Sequence, residues 1–174
     1  KKCIVLDLDN TLWRGVIGED GLEGIGLGPT PSGRAYMEFQ QLLVALFHRG
    51  ILLAVNSKNN MDDVRRVFHE HPHMRLREEH IAAWRVNWED KATNMVALSQ
   101  ELNIGLDSMV FVDDDPVNVG LVRAACPEIE AVCLPKDSSV YPDLVRSWHF
   151  FDALVLTDED HQKGIQYATQ RQRE

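Results

Sequence analysis

The chain is poor in cysteine: Cys3, Cys126 and Cys133 are the three in 174 residues, an odd number with no CxxC pair. That excludes a disulfide framework and a zinc knuckle, and it points to a reducing compartment, so a cytoplasmic location is expected. Positive charge is also scarce, with 18 basic residues against 27 acidic ones and a net charge of -9. Such a surface repels a phosphate backbone, so nucleic acid is not an expected partner. No apolar run approaches the length of a membrane span, and Lys1-Lys2 ahead of an Asp-containing strand is not a signal peptide, so no membrane association is expected. Six glycines lie between Leu12 and Gly28, yet they fit neither GxGxxG nor GxxxxGK[ST], which removes the dinucleotide fingerprint and the P-loop. There is no internal repeat. The length suits one well-buried domain, expected over residues 1–174.

Apolar strands alternate with amphipathic helices, the pattern of a Rossmann-like α/β fold whose parallel sheet is covered on both faces. Strands are predicted at Ile4-Val5-Leu6, 51–55, 81–84, 109–112 and 130–134. Helices are predicted from Pro31 or Ser32 to Gly50, from Met61 to about His71, from Trp88 through Leu102, from Pro116, from Tyr141 to His149 and from Asp158 to Arg171. The segment from Leu12 to Gly28 reads as a turn-rich hairpin or flap.

The chemistry lies at the strand ends. Asp7 and Asp9 are two residues apart after an apolar β-branched run, a place to hold a divalent cation or to pair a nucleophile with an acid/base; a plain Asp/Asn turn is the alternative. The second strand ends in Asn56-Ser57-Lys58-Asn59-Asn60, whose hydroxyl, ammonium and amide donors suit an anionic oxygen unless Ser57 or Asn60 simply caps the next helix. Lys91 opens a helix, an odd place for a cation on dipole grounds. Either an anionic ligand shares it with the helix end, or it is a solvated lysine beside Glu89 or Asp90. The fourth strand ends in Asp113-Asp114-Asp115-Pro116, and three carboxylates after a buried strand are costly unless solvated, capping a helix or holding a cation. His69, His71, His73 and His80 straddle Pro72 without a metal-site spacing.

Taken in order, Asp7-x-Asp9-x-Thr11, Ser57, Lys91 and Asp113-Asp114 resemble the four motifs of the haloacid dehalogenase (HAD) superfamily. The runs 2–13 and 15–21, Val55-Asn56-Ser57-Lys58-Asn59, Asn87-Trp88-Glu89-Asp90-Lys91-Ala92, Phe111 to Pro116 and Leu156 to Asp160 narrow the resemblance to its FkbH-like branch. The resemblance implies a HAD core with a small flap and no large cap, in a domain excised from, or embedded in, a longer polyketide synthase protein. It further implies Mg²⁺ held by Asp7, the main-chain carbonyl of Asp9 and Asp113, with Asp7 as nucleophile and Asp9 as acid/base. Asp114 would orient a metal-bound water or Lys91. Asn10, Thr11, Arg14, Ser57, Lys58 and Lys91 would bind the phosphate or substrate. The implied activity loads a three-carbon acyl unit, typically glyceryl from 1,3-bisphosphoglycerate or a similar acyl phosphate, onto the phosphopantetheine arm of an acyl carrier protein, with dephosphorylation. A generic small-molecule phosphatase and a non-catalytic recruitment domain are the other readings. Arg14 stands where that branch usually has Gly, and Asn118 where a Glu commonly follows, so both make the site less negative. Of the cysteines, Cys3 lies upstream of Asp7, while Cys126 and Cys133 are expected to flank a late strand away from the motifs.

Overall fold

The structure is a computed structural model, and it describes residues 1–151. The helix predicted over 158–171 and the run from Leu156 to Asp160 lie outside the described residues. The chain runs β1 (Cys3–Leu6), α1 (Ile17–Gly24), α2 (Arg34–His48), β2 (Leu52–Ser57), α3 (Met61–Glu70), β3 (Ile81–Val86), α4 (Lys91–Leu102), β4 (Met109–Asp113), α5 (Pro116–Ala125), β5 (Glu130–Cys133) and α6 (Tyr141–Arg146). The strands form one sheet in the order β3-β2-β1-β4-β5, every neighbouring pair parallel.

Strand alternation divides the apolar side chains between two layers. Ile4, Leu6, Leu53, Val55, Val110 and Val112 face one way and pack with Phe39 and Leu43 of α2, Val64 and Val67 of α3 and Val145 of α6. Cys3, Val5, Ala54, Met109 and Phe111 face the other way, against Met95 and Leu98 of α4 and Val119 and Val122 of α5. Burial on both faces explains why these strands read as continuous apolar runs. The same arrangement puts β2 and β4 on either side of β1, with Leu6 in register with Val55 and Val112. Three carboxyl ends therefore lie side by side where the chain order reverses, the position at which open parallel sheets bind ligands.

The flap departs from its predicted form. Arg14 and Gly26 close it as an antiparallel pair, Arg14 N–H donating to Gly26 O at 2.9 Å and Gly26 N–H to Arg14 O at 2.8 Å. Between them lies α1, which is broken at Gly21 (φ 71°). Its glycines weaken a helix by about 1 kcal/mol each, so composition alone reads as turn. Carboxylates offset that weakness: Asp20 Oδ2 accepts from Val16 N–H at 2.8 Å, and Asp9 Oδ1 accepts from Ile17 N–H at 3.0 Å. The predicted helix starts also shift. α4 begins at Lys91 rather than Trp88, because Asp90 caps it by accepting from Thr93 N–H at 2.8 Å. Asp115 caps α5 by accepting from Val117 N–H at 2.9 Å, with Pro116 in the first turn. Among the described residues no helix is long and apolar enough to cross a membrane.

Candidate active site

Asp7 follows the last residue of β1, and its N–H donates to Val112 O at 3.0 Å, which fixes it between β1 and β4. Its Oδ1 accepts from Lys91 Nζ at 2.9 Å and its Oδ2 from Thr11 Oγ1 at 3.2 Å. Asp113, fully buried at the end of β4, accepts from Lys91 Nζ and Asn118 Nδ2 through Oδ2 at 3.1 and 3.2 Å, and from Asp115 N–H through Oδ1 at 2.9 Å. Lys91 also donates to Asn56 O at 2.8 Å, so three oxygens surround its ammonium, which is only 1% exposed. The solvated-lysine alternative is thereby overturned. The dipole conflict at the start of α4 is resolved by two buried carboxylates of the protein itself.

Asp7, Asp113 and Asp114 each bring an oxygen within 4.8 Å of the others, the one such carboxylate, histidine or cysteine group among the described residues. Burial pushes Asp7 up to about 6 against the pull of Lys91. Burial, joined by repulsion from Asp7, takes Asp113 up to about 6 as well. Burial raises Asp114 too. For Lys91 burial favours the neutral amine, but the two carboxylates more than offset it and hold the ammonium above its ordinary value. Three carboxylates facing one cation leave an excess of negative charge lined with hard oxygen ligands, which fits a divalent cation of the Mg²⁺ type.

Asp9 has different surroundings. Its Oδ1 accepts from Trp13 Nε1 and Ile17 N–H, both at 3.0 Å, and its Oδ2 accepts from Asn59 Nδ2 at 2.9 Å. The same Asn59 amide lies 3.3 Å from Ser57 Oγ and so joins the first and second strand ends. Asn10 adopts the left-handed conformation (φ 58°), and its Oδ1 accepts from Gly15 N–H at 2.8 Å, a bond that shapes the loop. Thr11 is fully buried and also reaches Asp114 Oδ1 at 3.4 Å. Lys58 is exposed. Arg14 is exposed too, and it lines a cavity on the flank of the flap that none of the clustered carboxylates lines.

Several contributors were not singled out from sequence. Asn59 belonged to a recognised polar run without a role of its own. Buried Asn56 donates to Lys91 O at 3.0 Å and accepts from Asn94 Nδ2 at 3.0 Å, pinning the start of α4. Trp13 stood in the motif run without a role of its own, and its indole N–H makes the link to Asp9. The expectation for Cys133 needs correction: it is in register with Asp113, and its Sγ lies 3.9 Å from Asp114 O, because β5 pairs directly with β4. Burial and the neighbouring carboxylates keep its thiol protonated. Cys3 is fully buried in β1, where desolvation pushes its thiol up to about 12.

No protein-family profile matches the chain, and neither does any curated protein. Among solved structures, the chain is similar to the N-terminal part of protein BF1531 from Bacteroides fragilis, which contains a phosphatase domain and is complexed with Mg. The two share 41% identity over 90% of this chain, with a TM-score of 0.86. The chain spans 42% of the length of that Bacteroides chain. An uncharacterized protein from Corynebacterium glutamicum shares the fold at 13% identity and a TM-score of 0.55, over 90% of this chain and 98% of its own. The α/β architecture is the HAD-like fold expected from the motifs.

Proposed function

We propose that this chain is a Mg²⁺-dependent phosphatase that uses Asp7 as its nucleophile. The carrying observation is the Asp7-Asp113-Asp114 cluster with Lys91 paired to two of its members. The Mg-complexed phosphatase domain of the Bacteroides relative supports the same reading. Asp7, Asp113 and the main-chain carbonyl of Asp9 would hold the ion, and Asp114 lies close enough in the cluster to orient a water or to join them. When bound, the ion neutralises charge on the phosphoryl oxygens and on the carboxylates.

In the proposed reaction an Asp7 oxygen attacks phosphorus in line, and the bond to the leaving oxygen breaks while Asp9 donates that oxygen its proton. Water then attacks the phosphoaspartate phosphorus and gives its proton back to Asp9, and the P–O bond to Asp7 breaks to release phosphate. Lys91 and Ser57 hold the transferring oxygens. The finer reading is acyl loading. A phosphopantetheine thiol attacks the carbonyl carbon of a three-carbon acyl phosphate, the C–O bond to phosphate breaks as the thiol proton leaves with the departing phosphate, and a phosphate ester at the far end of the unit is hydrolysed at Asp7. Two features favour a protein-borne arm. The segment between Ser57 and Lys91 holds only α3, β3 and connecting turns, with no cap, and Trp88 in the turn before α4 and Val117 in the first turn of α5, 69% and 75% exposed, follow the ends of β3 and β4.

The primary test is Mg²⁺-dependent phosphate release from p-nitrophenyl phosphate and acetyl phosphate. Asp7→Asn is expected to abolish turnover and the beryllium fluoride adduct, and near-wild-type turnover would place the chemistry elsewhere. The finer reading is tested by intact-protein mass spectrometry of holo carrier protein incubated with the chain, Mg²⁺ and 1,3-bisphosphoglycerate. A carrier that gains no acyl mass while phosphate is released leaves the phosphatase alone. Cys3→Ser is expected to change neither result.

A further inference from the structure

A cavity of about 570 Å³ lies between the flap and the turn after α3, with Arg14, Glu23, Thr30, Ser32, His71 and His73 in its wall. Asp7, Asp9, Ser57, Lys91, Asp113 and Asp114 do not line it. In a chain with 27 acidic residues, Arg14 forms no ion pair and no side-chain hydrogen bond among the described residues, although Glu23 shares the cavity wall. His71 is 7% exposed, and its Nδ1 accepts the main-chain N–H of His73 at 3.2 Å. Burial, and then the neighbouring His73, hold its pKa below the ordinary value, so the ring is neutral at pH 7 and must carry its proton on Nε2. The imidazole therefore has one N–H donor left to give, and the bond to His73 fixes which nitrogen it is.

Two glycines make the room. A β-carbon on Gly26 would sit 2.7 Å from Arg14 Nε, and one on Gly28 (φ 144°) would sit 2.7 Å from His73 Cδ2. The guanidinium and the second imidazole thus lie directly on bare main chain. Hydroxyls at Thr30 and Ser32, 3.4 Å apart, complete a set of donors drawn from three separate segments of chain. Donors spread around the wall of one cavity suit a tetrahedral group with acceptors all round better than a planar carboxylate, and Arg supplies the forked contact that phosphate oxygens accept.

We propose that this cavity is a second anion site that binds a phosphoryl group, with the Arg14 guanidinium, the His71 Nε2–H and the Thr30 and Ser32 hydroxyls as its donors. The site does not depend on turnover at Asp7.

The test is a titration of the metal-free protein with inorganic phosphate, followed through the imidazole nitrogens by two-dimensional ¹H–¹⁵N NMR. A saturable shift of His71 Nε2 is expected, weakened roughly tenfold in apparent affinity by Arg14→Gln, which removes the one charged donor. Gly26→Ala, which alters no donor, is expected to weaken it as well by displacing Arg14. Ser32→Ala, at an exposed position, gives a second deletion with a smaller loss. The ring of buried His80 reports that each variant is folded. Absence of a His71 shift, or undiminished affinity in folded Arg14→Gln, overturns the site. An equal response to acetate overturns its phosphoryl character.

Discussion

The strand-end cluster and the flap both hold a carboxylate of the Asp7-x-Asp9 pair, but they hold it by opposite means. Asp7 is bound by the nearby Thr11 hydroxyl and, distant in sequence, by Lys91, so its principal partner is a cation buried from water. Asp9 is held mostly by near neighbours, Trp13 and Ile17, and all three of its donors are neutral N–H groups. A buried cation opposes loss of charge from Asp7 and aims its oxygens, whereas neutral donors orient Asp9 without binding its charge as strongly. That difference matches the proposed division of labour, in which one carboxylate attacks and the other passes a proton.

The sharpest way to break the contrast is to remove the cation. Lys91→Met leaves Asp7 and Asp113 buried without a counter-charge, and loss of one partner of a buried pair costs about 3–5 kcal/mol. Urea denaturation of the metal-free variant at pH 7.5 is expected to show a loss of that order, together with loss of phosphate release. A change below about 1 kcal/mol, the range of surface pairs, would mean that Lys91 is not buried against these carboxylates.

A smaller effect is expected on the flap side. Trp13→Phe removes the indole N–H from Asp9 Oδ1 while keeping an aromatic ring in the core. One hydrogen bond to a charged group contributes about 1.5–3 kcal/mol, but Ile17 N–H and Asn59 Nδ2 remain to hold Asp9. The loss is expected mainly in kcat with KM little changed, since Asp9 would be misaimed for proton transfer rather than lost from substrate binding. A rise in KM at constant kcat would instead place Trp13 in ground-state binding.

The same contrast explains what could be read from the sequence. The strands and the motif positions were legible because apolar runs and strand-end polar residues leave a periodic, local trace. The direct pairing of Lys91 with Asp7 and Asp113 was not: the resemblance put the three in one site, but a lysine in a first helical turn looks the same whether solvated or buried, and the β2-β1-β4 order is what brings its ammonium onto both carboxylates. Cys133 was misplaced for the same reason, since the pairing of β5 with β4 is a fact of topology. In the flap the obstacle was composition. The glycines hid α1, whose leading N–H groups are taken by Asp9 and Asp20 across distances that no propensity registers.

The smallest predicted effect lies away from both regions and serves as a control on them. His80, 8% exposed at the entry to β3, accepts Arg77 N–H through Nδ1 at 2.9 Å, which requires a neutral ring. Burial is the main cause that lowers its pKa below the ordinary 6.5, His48 and Arg77 adding to it against the pull of Glu79. The unfolded chain therefore binds a proton at this position more readily than the folded one, so the His80 contribution is fully present above about pH 6.5 and declines as the pH falls below it. The slope is at most about 1.4 kcal/mol per pH unit, for one proton. His80→Asn keeps an acceptor oxygen near the Nδ1 position and removes the titration. The difference in urea stability between wild type and His80→Asn is thus expected to be constant from pH 8 to 6.5 and to shift against the wild type on further acidification. A difference that stays flat to pH 5, or that moves in favour of the wild type, would show that His80 is not held neutral by the fold; the carboxylate cluster, common to both proteins, cancels from the comparison.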